Sequence, residues 1–137
     1  MIHTQNFKVA KMIAPVSANG GAYTATSVDC YGFHYAFVLV TLGVIGANGG
    51  TCKLTESHDD STYVDVASAT FTLLTASHAG TQHGGWLDLR ARRRYLKPDF
   101  TAGAGATLLG CYCILSRADE VPDSTTERGL TTVFGPL

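Results

Sequence analysis

At 137 residues the chain has the length of one domain, and a domain of that size buries roughly two thirds of the surface that its unfolded form exposes. Ten basic and eleven acidic side chains leave a formal charge of -1, so no overall charge draws the molecule to nucleic acid or to an anionic membrane. Charged residues make up only 15% of the chain, against ~25% in an average soluble domain; with 45% hydrophobic residues and 15 Gly, this is the composition of a β protein that hides part of its surface against a partner.

The opening "MIHTQNFKVAKMIAP" lacks the basic-then-apolar layout of a signal peptide, and no apolar run reaches the ~18 residues that a membrane helix needs. A protein made and used in a cytoplasm is expected, with no membrane partner. Helical periodicity is absent: the apolar runs are short, rich in β-branched or aromatic residues, and bounded by Gly, Asn, Asp or Ser. Strands are predicted at Lys8–Ala14, Ala22–Asp29, His34–Ile45, Thr51–Ser57, Thr62–Val66, Thr70–Leu74, Gly85–Leu89, Arg94–Phe100 and Ala106–Leu115. Nine short strands separated by frequent turns imply an all-β sandwich or jelly roll. Residues 1–20 are read as an N-terminal strand or arm, 21–116 as the sandwich core and 117–137 as a C-terminal arm.

Two strands are apolar at nearly every position, "FHYAFVLVTLGVI" from Phe33 and "ATLLGCYCILS" from Ala106, and both should be central. In the first, Phe33, Tyr35, Phe37 and Leu39 face one way and Ala36, Val38, Val40 and Leu42 the other. One set fills the sandwich; the other needs cover from an arm or a neighbouring subunit. "AYTATSVDC", in contrast, alternates as a strand wet on one face. The tail "SRADEVPDSTTERGLTTVFGPL" is too polar in its first half to build a core, yet ends on Val133, Phe134 and Leu137, which suggests docking on the same sheet or on another chain.

Three clusters carry candidate chemistry. "ESHDDSTYVDV" places Glu56, His58, Asp59, Asp60 and Asp65 close together, but His58 to Ser61 is where a hairpin loop falls, and Asp and Ser belong there because their side chains bond nearby backbone. The spacing of an EF-hand is missing. "HAGTQHGGW" holds His78 and His83 in a Gly-rich link before Trp86, the only Trp; no third metal ligand is nominated, and Trp86 reads as a core or interface aromatic. No catalytic constellation and no cofactor or metal site is expected, so the chain is not read as an enzyme. Cys30, Cys52, Cys111 and Cys113 lack zinc or CxxC spacing and are expected as buried or half-buried free thiols.

The third cluster, "LRARRRYLK", concentrates Arg90, Arg92, Arg93 and Arg94. Its readings are contact with an acidic protein surface or a sister subunit, a solvated strand edge that resists aggregation, and phosphate binding. Interleaved aromatics that would stack on bases are missing, and no nucleic-acid partner is expected.

"CKLTESHDDSTYVDVASATFTLLT" and "GGWLDLRARRRYLKPDFTAGAGATLLGCYCILSRADEVP" resemble the head decoration, or cement, proteins of tailed phages. The matching features are Glu56-Ser57, Asp59-Asp60, Tyr63 to Val66, Gly84-Gly85, Arg94-Tyr95-Leu96 and Leu108 to Leu115, within about residues 50 to 122. The resemblance implies a jelly-roll module on the outside of a virion capsid, made in the host cytoplasm. Such a module clamps neighbouring major capsid protein subunits, as a homo-oligomer in which a trimer is favoured. Arg90, Arg92, Arg93, Arg94, Trp86, Val133, Phe134 and Leu137 are the expected contact residues. "SxDxSTYVDV" with "RRYLK" is also similar to discoidin-type carbohydrate-binding β-sandwiches, and a phage neck or tail-fibre component is a further alternative.

Overall fold

A computed structural model of the chain describes residues 6–46, 48–119 and 126–131. Among the described residues nine strands follow one another: β1 (Phe7–Ala18), β2 (Gly21–Tyr23), β3 (Val28–Asp29), β4 (Phe33–Ile45), β5 (Gly50–Ser57), β6 (Val64–Leu74), β7 (Gln82–Asp88), β8 (Tyr95–Ala102) and β9 (Thr107–Ala118). One sheet has the order β1-β9-β4-β7, the other β2-β8-β5-β6 with β3 beside β8. All pairings are antiparallel. A four-stranded and a five-stranded sheet in this order form a jelly roll, so the all-β sandwich read from the turn-bounded apolar runs is the fold.

The core lies between the sheets. Ala36, Val38, Val40, Cys111, Cys113 and Leu115 point in from the first sheet, and Cys52, Leu54, Leu96 and Phe100 from the second, all buried. A register shift between Lys11 and Ile13 breaks the alternation of β1, and Met12 and Ile13, adjacent in sequence, are both buried. The extra residue of a bulge is what lets two neighbours share one face.

The sequence reading divides the strands differently in two places. Ala22–Asp29 is not one strand: between β2 and β3 the Thr26 amide bonds the Met12 carbonyl at 2.8 Å, so the chain leaves the second sheet there to tie onto β1. Thr62–Val66 and Thr70–Leu74 are instead one strand, β6, which runs through Ser68 at φ 64° with a register shift against β5. A bulge looks like a break when only side-chain alternation is read.

The N-terminal segment is an integral edge strand from Phe7 to Ala18, paired with β9. The C-terminal segment returns to that edge. The Val9 amide bonds the Arg128 carbonyl at 2.8 Å, and Gly129, at φ +70°, passes so close that an added Cβ would lie 1.8 Å from the Val9 oxygen. Only glycine fits both the left-handed backbone and the close approach.

Candidate functional site: an apolar sheet face and an arginine cleft

The alternation of β4 that sends Ala36, Val38 and Val40 inward sends Tyr35, Phe37 and Leu39 to the outer face of the first sheet. Register extends this across all four strands. Val9, Ile114, Phe37 and Trp86 form one row; Lys11, Tyr112, Leu39 and Gly84 form the next. The Phe37 and Trp86 rings lie 4.5 Å apart, tilted by 38°. Gly84 makes room for them, since a Cβ there would sit 2.6 Å from Phe37 Cζ. Trp86 remains 74% exposed and Leu108, farther along the same sheet, 42%. The second set of β4 side chains, which the sequence said needed cover, is thus half-buried within the chain and open outward.

The outer face of the second sheet is polar. Its registered pairs are Thr51 with Thr101, Lys53 with Asp99 and Thr55 with Lys97. Lys53 reaches Asp65 at 3.0 Å and Asp99 at 3.5 Å, and Lys97 Nζ sits 3.6 Å above the Tyr63 ring. The two faces of the sandwich therefore differ in kind.

The four arginines do not act as one patch. Arg90 turns to the first sheet: its Nε donates to Asp88 Oδ1 at 2.9 Å, its Nη2 bonds Asp88 Oδ2, and its guanidinium lies over Tyr35 at 5.5 Å. The Arg90 side chain holds the Asp88 carboxyl down to about 2. Arg94 grips Asp29 through two bonds of 2.9 and 2.7 Å and lies 5.1 Å from both the Tyr31 and Tyr95 rings. That contact also lowers the Asp29 carboxyl. Arg92 approaches Glu56 only to 3.7 Å, and the Arg93 backbone amide donates to the same carboxylate at 3.3 Å. Arg92, Arg93 and Arg94 line a cleft of about 320 Å³ with His58, Tyr31 and Leu89.

The acidic stretch turns a corner. Asp59 Oδ1 accepts from Ser57 Oγ at 2.8 Å and from the amides of Ser61 and Thr62 at 3.0 and 2.9 Å. The Thr62 amide leads the bonds that hold this carboxyl far below its ordinary range. Asp60 takes a left-handed backbone, and its carboxylate accepts from the Tyr63 hydroxyl. His78 and His83 meet edge to face at 5.3 Å, with His78 Nδ1 accepting from the Thr75 amide at 3.0 Å and His83 Nε2 2.9 Å from Thr81 Oγ1. Among the described residues no three His, Cys, Asp or Glu side chains are grouped to hold a metal. All four cysteines are buried and unpaired; burial pushes the Cys30 and Cys52 thiols up to about 12.

Of the contact residues named from sequence, Trp86 lies on the apolar face, Arg90 at its edge, and Arg92, Arg93 and Arg94 in the cleft, while Val133, Phe134 and Leu137 lie outside the described residues. Val9, Tyr112 and Ile114 on the face were missed as site residues, while His58, weighed with the acidic cluster and read as part of a turn, and Tyr31, an exposed loop aromatic, line the cleft. Period-two reading of β9 would have found Tyr112 and Ile114; the cleft residues come from three separate loops and leave no such signal.

No protein-family model matches the chain, and no curated protein matches its sequence. Among solved structures, the chain is similar to a protein of Bacillus endospore appendages, from a family of disulfide-linked pili. The TM-score is 0.50 and the identity 17%, over 82% of this chain and 89% of that one. At this identity the likeness is one of fold.

Proposed function

We propose that this chain is a viral structural protein, a decoration or cement module that binds the outer surface of a phage head and bridges neighbouring major capsid subunits, itself as a homo-oligomer, a trimer in the favoured case. The observation that carries the reading is the row Val9, Ile114, Phe37 and Trp86 crossing an entire sheet face, with Trp86 open to its surroundings. Strands of twelve and thirteen residues in β1, β9 and β4, spaced by ~4.8 Å and rising ~3.3 Å per residue, give a face on the order of 700 Å². A standard protein interface takes about 800 Å² from each partner. The fitting occupant is a protein surface with an apolar centre and acidic margins, because Lys11 lies within the face and Arg117 stands over Tyr35 at its edge.

The solved pilus protein of the same fold also belongs to an assembly, which is consistent with this use of the sandwich. Linkage by disulfides does not carry over to the four thiols here, all of which are buried. The test is light scattering on the purified chain followed by co-sedimentation with empty capsids. Saturable binding that Trp86→Ala weakens about thirtyfold or more supports the proposal; a monomer that leaves capsids bare refutes it.

A carbohydrate-binding role has one specific observation in its favour. A groove of about 460 Å³ on the second sheet brings Tyr23 and Tyr63 together with Lys53, Asp65, Lys97 and Asp99. A glycan array decides it: saturable binding lost in Tyr63→Ala would establish this role, and a blank array would remove it.

A further inference from the structure

The geometry points to the cleft of Arg92, Arg93 and Arg94 as a binding site for carboxylates presented by an acidic protein segment, separate from the apolar face. Arg94 is committed to Asp29 by two bonds. Arg92 stands 3.7 Å from Glu56, beyond hydrogen-bond distance. The Arg93 guanidinium forms no ion pair with any other described residue. Two guanidiniums thus keep most of their donors for an incoming group, each a planar fork matched to a carboxylate.

The acids that would oppose an anion are themselves spent. Asp29 is neutralised by Arg94, and the Glu56 side chain, only 12% exposed, accepts from the Arg93 amide. One guanidinium in the cleft is left without a carboxylate of its own. The lining also includes apolar Leu89 and Phe33, against which the methylenes of a glutamate stem can pack. Tyr31, 77% exposed and stacked on Arg94, stands at the cleft as an open aromatic plane. At about 320 Å³ the site lies at the small end of ligand pockets, room for one or two side chains rather than a strand or a duplex.

The experiment titrates the full chain with a capped hexaglutamate peptide and, separately, with inorganic phosphate, at about 20 mM salt, where screening is weak. The readouts are calorimetry and backbone amide shifts. The peptide is expected to shift the amides of Tyr31, His58 and Arg93, and its affinity to fall about tenfold or more in Arg92→Gln/Arg93→Gln. Lys53→Gln, which removes one charge outside the cleft lining, should leave affinity unchanged. No peptide binding, equal binding by the double variant, an equal loss in Lys53→Gln, or tighter binding of phosphate than of peptide would each overturn the assignment. Because the peptide assay uses no capsid, it stands or fails independently of the decoration role.

Discussion

Replacing Trp86 with Ala separates what the residue does for the fold from what it does in the proposed docking. An indole side chain offers ~250 Å². With Trp86 74% exposed, roughly 65 Å² is covered within the chain, chiefly by Phe37, and roughly 185 Å² is open. At ~25 cal/mol per Å² these areas correspond to about 1.6 kcal/mol in folding and about 4.6 kcal/mol on complete burial against a partner. Ordering and desolvation of neighbouring groups reduce the second figure, so a docking loss of at least ~2 kcal/mol, about thirtyfold in affinity, is expected. Urea denaturation reads the first quantity, and co-sedimentation with empty capsids over a concentration series reads the second. A variant that stays folded yet binds capsids within threefold of the parent would show that the exposed indole is not an anchor, and the apolar face would lose its role.

Four further outcomes follow from the same structure. Gly129→Ala forces a side chain into left-handed backbone and onto the Val9 oxygen, at a cost of about 1–2 kcal/mol; hydrogen exchange at the Val9 amide should accelerate roughly tenfold, and unchanged exchange would deny the C-terminal return. Thr107 Oγ1 is buried without a partner among the described residues, so Thr107→Val should be neutral or stabilising by about 1 kcal/mol in urea, whereas a clear loss would reveal a bond to that hydroxyl. Asp88, Asp29 and Asp59 all have carboxyls lowered in the folded state, so their contribution is full above the unfolded value near 4 and is lost as pH falls below it, that of Asp88 as pH passes about 2 and that of Asp59 at still lower pH; melting temperature should drop steadily below pH 4, and a flat profile would contradict it. The buried thiols, with Cys30 and Cys52 raised to about 12, should react with Ellman's reagent at pH 8 only slowly until urea exposes all four; a fast-reacting native thiol would contradict their burial.

Much of the fold was legible because side-chain periodicity carries it. β4 and β9 are apolar on both faces, which marks central strands, and they lie side by side in the first sheet. Asp59 and Ser57 form the turn that their side-chain chemistry favours. What failed to show was set by backbone geometry or by distant partners. The bulge at Ser68 mimics a gap, and the Thr26 bond to Met12 depends on a strand fourteen residues away. The arginines looked like one charge patch because they are adjacent in sequence. Asp88 and Asp29 pull Arg90 and Arg94 apart, and no local pattern encodes which acid each will meet.

The pairing of β1 with β9 bears on how the molecule withstands mechanical load. Phe7 lies opposite Ser116 and Ala18 opposite Thr107, so the chain enters and leaves this sheet at the same end. Tension applied at Phe7 and Ala118 would peel the pair apart one rung at a time, instead of shearing many hydrogen bonds together. A sandwich built this way resists strain best when gripped across its broad sides, where traction is shared by whole strands.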